Sequence, residues 1–308
     1  AKISLEVKFG ISIPFVDLNK IYRIKMKNGY VIELPLNSLI DLMVLVKSKK
    51  KLDLKISEKN LIIDEKDLIP LDDIKIGIYA YLKGWRYNKT CNIWEYIDGL
   101  LSVKFNKINY STVEVFTDKI YDIERINGEV LDIGGNIGAS AIFFALKGAE
   151  KVVSIEPLPQ IVEEAKRNIS LNNLTDKIII MNAALGKSNG YIDVPIDIDV
   201  ENSHYFSTDN VLKYRELKTG FAKVPVITVK EVLDRLKEPY LLKMDCEGCE
   251  YDVIPSSYDL IRMFKVIFME LHGKKERRAQ ILKILSQDFN CIILHSSAIT
   301  SMIRCEHK

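Results

Sequence analysis

The chain has 308 residues, room for two domains at ~150 residues each, and its 47% hydrophobic and 28% charged residues exclude a disordered, collagenous or low-complexity protein. Lysine and arginine number 44 against 42 aspartates and glutamates, so the bulk charge asks for no polyanion and any nucleic-acid surface would be a local patch. No apolar stretch approaches the ~18 residues of a membrane span, AKISLEVKFGISIPF lacks the apolar run of a signal peptide, and five scattered cysteines predict free thiols in a reducing cytoplasm.

Residues 1–110 read as a β-rich domain with a role in substrate specificity or oligomerisation. IYRIKMKNGYVIEL alternates apolar and polar residues on both sides of Asn28-Gly29, which predicts a hairpin. Ser38 is placed to cap a helix over LIDLMVLVK, and LKISEKNLIID predicts a second hairpin around Lys59-Asn60. Lys47, Lys49, Lys50 and Lys51 read as a solvated helix end. Two aromatic segments follow, then SVKF and TVEVF, both strand-like. Tyr79, Tyr81, Trp85, Tyr87, Trp94 and Tyr96 are read first as core and edge of this unit; a stacking surface for a sugar or base is the sharper alternative.

From about residue 126, within a second domain over 111–308, strands and helices alternate. EVLDI, KVVSIE, DKIIIMNAAL, YLLKMD and KVIFMELH read as strands. GASAIFFALKG, LPQIVEEAKRNISLNNL, TVKEVLDRLK and ERRAQILKILS read as helices, and FNCIILHSS with AITSMIRCE as a closing hairpin. That order predicts an α/β, doubly wound, mostly parallel sheet with an antiparallel strand from the hairpin.

In such sheets, ligands sit at the carboxyl ends of the strands, where the strand order reverses. The first strand ends in Asp132-Ile133-Gly134-Gly135-Asn136-Ile137-Gly138, a loop that lets backbone approach a ligand and opens a helix with free N–H groups. The second ends in Glu156, placed to accept both hydroxyls of a ribose. A dinucleotide fingerprint would need glycine where Ile133 stands. A carboxylate at the Asp132 tip suits a cationic ammonium better than a pyrophosphate. The pattern therefore points to S-adenosylmethionine rather than NAD.

These segments carry a resemblance. VLDIGGNIGASAIFFALKGAEKVVSIEPLPQIVEEAKRNISLNNL resembles the cofactor half of the FkbM-type methyltransferases, LLKMDCEGCEYDVI their D-x-E-G-x-E signature, and FMELH their closing E-x-H. The resemblance covers roughly residues 110–275. It implies a class I, Rossmann-like methyltransferase fold and S-adenosylmethionine-dependent methylation, usually of a hydroxyl on a sugar, lipid or secondary metabolite. Asp132, Gly134, Asn136 and Gly138 would hold the methionine end and the loop, Glu156 with Pro157 the ribose, and Asn182-Ala183 would flank the adenine. The cysteines at 246 and 249 depart from the commoner pattern.

The fourth and fifth strands end in Lys243, Asp245, Glu247, Glu250, Glu270 and His272. Methyl transfer needs an aligned nucleophile and, for an alcohol, a base. His272 is the first candidate and Asp245 the second, with Lys243 placed to lower the pKa of a bound hydroxyl. Zinc on Cys246 and Cys249, completed from Cys291, His295, Cys305 or His307, is a weaker alternative. So is Mg²⁺ or Mn²⁺ on Asp245, Glu247, Glu270 and His272; no metal is the default expectation. The expected partner is a small-molecule or glycan acceptor, with nucleic acid and membrane spans set aside. An RNA methyltransferase and a non-catalytic cofactor-binding module are the rivals.

Overall fold

Continuous apolar runs that end in a charge form the central strands of the segment 114–308. In the computed structural model, which describes residues 21–25, 30–48, 53–57, 59–99, 101–196, 200 and 220–308, EVLDI and VVSIE are strands buried along their whole length. The chain divides into two units, 1–113 and 114–308.

The first unit is built from small antiparallel sheets. β1 (Ile21–Lys25) pairs with β2 (Val31–Pro35); the Asn28-Gly29 turn lies outside the described residues, as do Lys49, Lys50 and Lys51. α1 (Leu36–Ser48) starts before Ser38. The buried Ser38 hydroxyl donates to the carbonyl of Lys75 at 2.9 Å, so it ties α1 to a neighbouring segment and does not cap it. The hairpin around Lys59-Asn60 gains a third strand: β3 (Leu54–Ile56), β4 (Asn60–Ile63) and β5 (Asp67–Pro70). α2 (Ile74–Leu82) leads to β6 (Arg86–Asn88), β7 (Ile93–Asp98) and β8 (Leu101–Phe105). Trp85 and Trp94 are fully buried, the Trp94 indole donating to Asp73 at 2.8 Å, and buried Tyr81 donates to Asp67 at 2.7 Å. These three aromatics are core.

TVEVF is helical and not a strand: α3 (Tyr110–Val113) is followed by a π-helical turn at Glu114–Asp118. The buried Asn109 carboxamide accepts from the Thr112 N–H at 3.0 Å and its hydroxyl at 2.8 Å. This local cap outweighs the strand preference of threonine and valine.

The second unit carries a seven-stranded sheet. Its strands are β9 (Glu129–Ile133), β10 (Val152–Glu156), β11 (Ile178–Asn182), β15 (Pro239–Met244), β16 (Val266–His272), β17 (Phe289–Ser296) and β18 (Thr300–His307), in the order β11-β10-β9-β15-β16-β18-β17. The first five are parallel; β18 runs antiparallel between β16 and β17. The order reverses between β9 and β15, the doubly wound arrangement of class I, Rossmann-like methyltransferases. Crossovers include α4 (Ala139–Leu146) and α5 (Pro159–Leu171), whose proline sits at the helix start. A separate three-stranded sheet, β12 (Ala184–Leu185), β13 (Gly190–Pro195) and β14 (Phe221–Ile227), has no counterpart in the sequence reading. It leads into α6 (Val229–Leu233), opened by a Thr228–Glu231 capping box.

The expectation of free thiols fails. Cys246–Cys249 and Cys291–Cys305 are disulfides, leaving exposed Cys91 as the free cysteine. Antiparallel register makes Cys291 and Cys305 direct cross-strand partners, and the first pair lies three residues apart at the start of α7 (Glu250–Ser256). Bridged sulfurs also cannot supply the thiolates of the zinc alternative. No helix among the described residues is long and apolar enough to cross a membrane.

Candidate active site

At the reversal point, the tips of β9 and β15 lock together. The N–H of Asp245 donates to the carbonyl of Ile133 at 3.0 Å. Gly134 has φ +78°, and a Cβ there would lie 1.7 Å from the carbonyl oxygen of Asp245. Only glycine fits this approach. Gly138, with φ +87°, turns the loop into α4. Asn136 sits at φ +46° between them, its N–H donating to Glu156 at 3.0 Å, and the buried Asn168 carboxamide donates to the carbonyl of Ile137 at 2.9 Å.

Beneath the loop, three strands present one polar row. Parallel register aligns Ser154 of β10 with Asp132 of β9 and Asp132 with Lys243 of β15. Asp132 is fully buried. Its Oδ2 accepts from Ser140 and Ser154, each at 2.9 Å, and its Oδ1 lies 3.3 Å from the Lys243 ammonium. Lys243 also donates to the carbonyls of Ile133 at 3.1 Å and Gly134 at 2.6 Å. Burial opposes its charge, but Asp132, Tyr121 and Asp245 together outweigh this and raise its pKa. Asp132 and Lys243 therefore hold the loop from below, turned inward.

Glu156 closes the tip of β10. Its carboxylate accepts from the N–H of Asn136 and the N–H of Leu158, both at 3.0 Å, and burial pushes its pKa up to about 7. Each oxygen retains a lone pair beyond the one in use, which suits a ribose diol. Asn182, exposed at the end of β11, donates to the carbonyls of Glu156 at 3.1 Å and Pro157 at 2.9 Å, while Ala183 is buried beside it. The glycine cradle, the Glu156 acceptor and the Asn182–Ala183 edge fit S-adenosylmethionine. Ser140, Ser154 and Asn168 were not singled out in the sequence. Register was the signal for Ser154, since it stands beside Asp132 in any parallel pairing of these strands.

The other side of the reversal point is wetter. Asp245, Glu247, Glu270 and His272 are brought together, the three carboxylates about a third exposed (34%, 34% and 32%) and the imidazole 16%. His272 Nε2 lies 3.8 Å from Asp245, 3.5 Å from Glu247 and 3.9 Å from Glu270. Its Nδ1 faces Glu250 at 3.3 Å. Glu250 is fully buried and also accepts from the His272 N–H at 3.0 Å and the Gly248 N–H at 2.9 Å; burial would raise its pKa, but its bonds to His272 hold it below the usual value. The Tyr251 hydroxyl donates to the His272 carbonyl. Burial works against the imidazolium, yet hydrogen bonds to Glu247 and Glu250 and the nearby negative charge push its pKa up to about 11. Burial first, then Asp245 and Glu247, push Glu270 up to about 7.

Sheet order, glycine cradle and acidic strand tips define a class I methyltransferase domain, whose cofactor is S-adenosylmethionine. More narrowly, residues 132–292 match the methyltransferase FkbM domain, and the chain belongs to that family. A Bacillus cereus protein named as an uncharacterized RNA methyltransferase is 33% identical over 93 residues, 30% of this chain and 19% of that protein. The ribosomal protein L11 methyltransferase of Carboxydothermus hydrogenoformans is 37% identical over 115 residues, 35% of this chain and 37% of that protein. The chain thus spans about a fifth to just over a third of these relatives. The crystal structure of a precorrin-6y C5,15-methyltransferase from Geobacter metallireducens aligns at a TM-score of 0.37 and 12% identity, covering 64% of this chain and 88% of that one. One expectation is corrected here. The sequence alone favours a small-molecule or glycan acceptor over nucleic acid, and a relative named for RNA methylation overturns that. Bulk charge near zero was too coarse a signal, because it reports on the whole surface and not on one site.

Proposed function

We propose that this chain is an S-adenosylmethionine-dependent O-methyltransferase whose acceptor hydroxyl is held at the Asp245–Glu270–His272 edge. The observation that carries the reading is the juxtaposition, at one reversal point, of a closed cofactor cradle and a half-open cluster of proton-accepting groups. The cofactor supplies a methyl group on a sulfonium sulfur, already activated. The protein's task is to align the acceptor oxygen and receive its proton.

Asp132 and Lys243 are positioning residues in this reading: they fix the carbonyls of Ile133 and Gly134 and touch no reactant. Glu156 and Asn182 hold the ribose and adenine ends. Asp245, a third exposed beside the imidazole, is the proton acceptor in this reading, and His272, anchored through Nδ1 by Glu250, orients the hydroxyl. The name of the Bacillus cereus relative makes RNA the first acceptor class to test, and its ribose 2′-hydroxyl is an oxygen of the required kind.

Incubation with methyl-labelled S-adenosylmethionine and total RNA is expected to place label on RNA as a 2′-O-methyl nucleoside, recovered after alkaline hydrolysis in a dinucleotide because the methylated 2′-oxygen cannot attack the adjacent phosphodiester. Label on a base nitrogen or carbon would overturn the oxygen assignment. Label recovered only in protein or in small solutes would overturn RNA as the acceptor class.

A further inference from the structure

We propose that Asp245, Glu270 and His272 form a binding site for one divalent cation of the Mg²⁺ or Mn²⁺ kind. One carboxylate oxygen from each acid and one ring nitrogen of the histidine lie within 4.8 Å of one another. Around an octahedral cation with bonds of about 2.1 Å, neighbouring ligands stand about 3 Å apart and opposite ones about 4 Å. The 3.8 Å and 3.9 Å separations of Nε2 from Asp245 and Glu270 are too long for good hydrogen bonds. They are the spacing of groups gathered around a common centre.

Two observations outside this ligand trio support the assignment. The first is the environment of the imidazole. Metal-binding histidines almost always engage a carboxylate or carbonyl through their second nitrogen, which fixes the tautomer and turns the other nitrogen to the ion. Here fully buried Glu250 faces Nδ1 at 3.3 Å and accepts from the same residue's N–H at 3.0 Å. The Tyr251 hydroxyl meanwhile holds the His272 carbonyl. The ring is thus anchored at its far side, and Nε2 faces Glu247 at 3.5 Å, Asp245 at 3.8 Å and Glu270 at 3.9 Å.

The second observation is charge. With Glu247 and Glu250, four carboxylates surround a single imidazole, and among the described residues no lysine or arginine forms an ion pair with Asp245, Glu247, Glu250 or Glu270. One imidazolium cannot neutralise that set, whereas a divalent cation would. The donor set of two carboxylates and one imidazole suits a hard or borderline ion. Bridging of Cys246 and Cys249 removes the thiolates that would favour a softer one. Three protein ligands leave the remaining positions of a six-coordinate ion for water and for oxygens of an acceptor.

Binding of the cation does not rest on the proposed methyl transfer; only its use does, as a Lewis acid that lowers the pKa of a coordinated hydroxyl. The test is titration of the full chain with MnCl₂ alone, without cofactor or acceptor, followed by calorimetry and by loss of the free Mn²⁺ electron-paramagnetic-resonance signal. One Mn²⁺ per chain is expected. Asp245→Asn and His272→Ala should each weaken it at least tenfold, Glu276→Gln on the exposed start of the following helix should leave it unchanged, and S-adenosylhomocysteine binding should persist in all three as proof of folding. No saturable Mn²⁺ binding below about 1 mM, or binding indifferent to both ligand substitutions, overturns the site. Mn²⁺ binding in a chain that labels no hydroxyl upholds the site and sinks the O-methyl reading; chelator-resistant methylation by a chain that binds no Mn²⁺ does the reverse.

Discussion

The carboxylates on the two sides of the reversal point share a chemical group and little else. Asp132 and Glu156 are buried and committed: two serines and a lysine hold one, two backbone N–H groups the other. Asp245, Glu247 and Glu270 are a third exposed and have His272 as their cationic partner among the described residues. A buried, paired charge fixes backbone and is costly to disturb. A half-exposed charge facing its own kind is free to receive a proton, a hydroxyl or a cation. Burial and pairing, more than residue type, separate the wall of this site from its working surface.

The sharpest break in that comparison is at Lys243. Lys243→Met leaves the Asp132 carboxylate buried without its counter-ion and is expected to lower stability by about 3–5 kcal/mol in denaturant unfolding. Glu247→Gln, across the site, should change it by less than about 0.5 kcal/mol. Equal losses would erase the distinction.

Next comes Gly134→Ala. The added methyl meets the carbonyl of Asp245 at 1.7 Å, so the loop must move, and calorimetry should show S-adenosylhomocysteine affinity reduced by about a hundredfold or more, roughly 2.7 kcal/mol. His272→Ala should act on the opposite side alone. Turnover falls by about 10²-fold with cofactor affinity within about twofold; loss of cofactor binding would show that His272 belongs to the wall.

The smallest expected effect is in pH. Glu156 is pushed up to about 7, above its unfolded value, so its neutral form prevails in the folded chain below about 7 and its carboxylate above. The carboxylate is the form that accepts from a ribose. Cofactor affinity should therefore fall as pH drops, by about fivefold between pH 7 and 6, and Glu156→Gln should flatten the profile. The same sign makes the folded state lose stability as pH rises from the unfolded carboxyl value through about 7.

Much of the sheet was legible because fully buried parallel strands read as short apolar runs, and the charge that ends a run marks a strand tip. Asp132, Glu156, Asp245 and His272 were found that way. Their orientation was not legible. Lys243 looked like a residue of the acceptor side, yet cross-strand register sets it against Asp132 in the interior. Ser140, Ser154 and Asn168 were invisible because a small polar residue within an apolar run signals nothing until its partner is known. The cysteines misled for the same reason: Cys291 and Cys305 are 14 residues apart in sequence but opposite each other in the hairpin. TVEVF misled because one buried asparagine outside the segment decided its conformation.

The close approach of Gly134 to the Asp245 carbonyl has a thermodynamic consequence. With the Asp245 N–H bonded to Ile133, the loop that cradles the cofactor and the loop that bears the first acceptor-side carboxylate share an interface with no room for independent adjustment. If the proposed cofactor and cation sites are both used, a ligand that orders one loop is expected to lower the entropic cost of filling its neighbour. Linkage makes that help reciprocal: any gain in cation affinity produced by S-adenosylhomocysteine must reappear, factor for factor, as a gain in S-adenosylhomocysteine affinity produced by the cation.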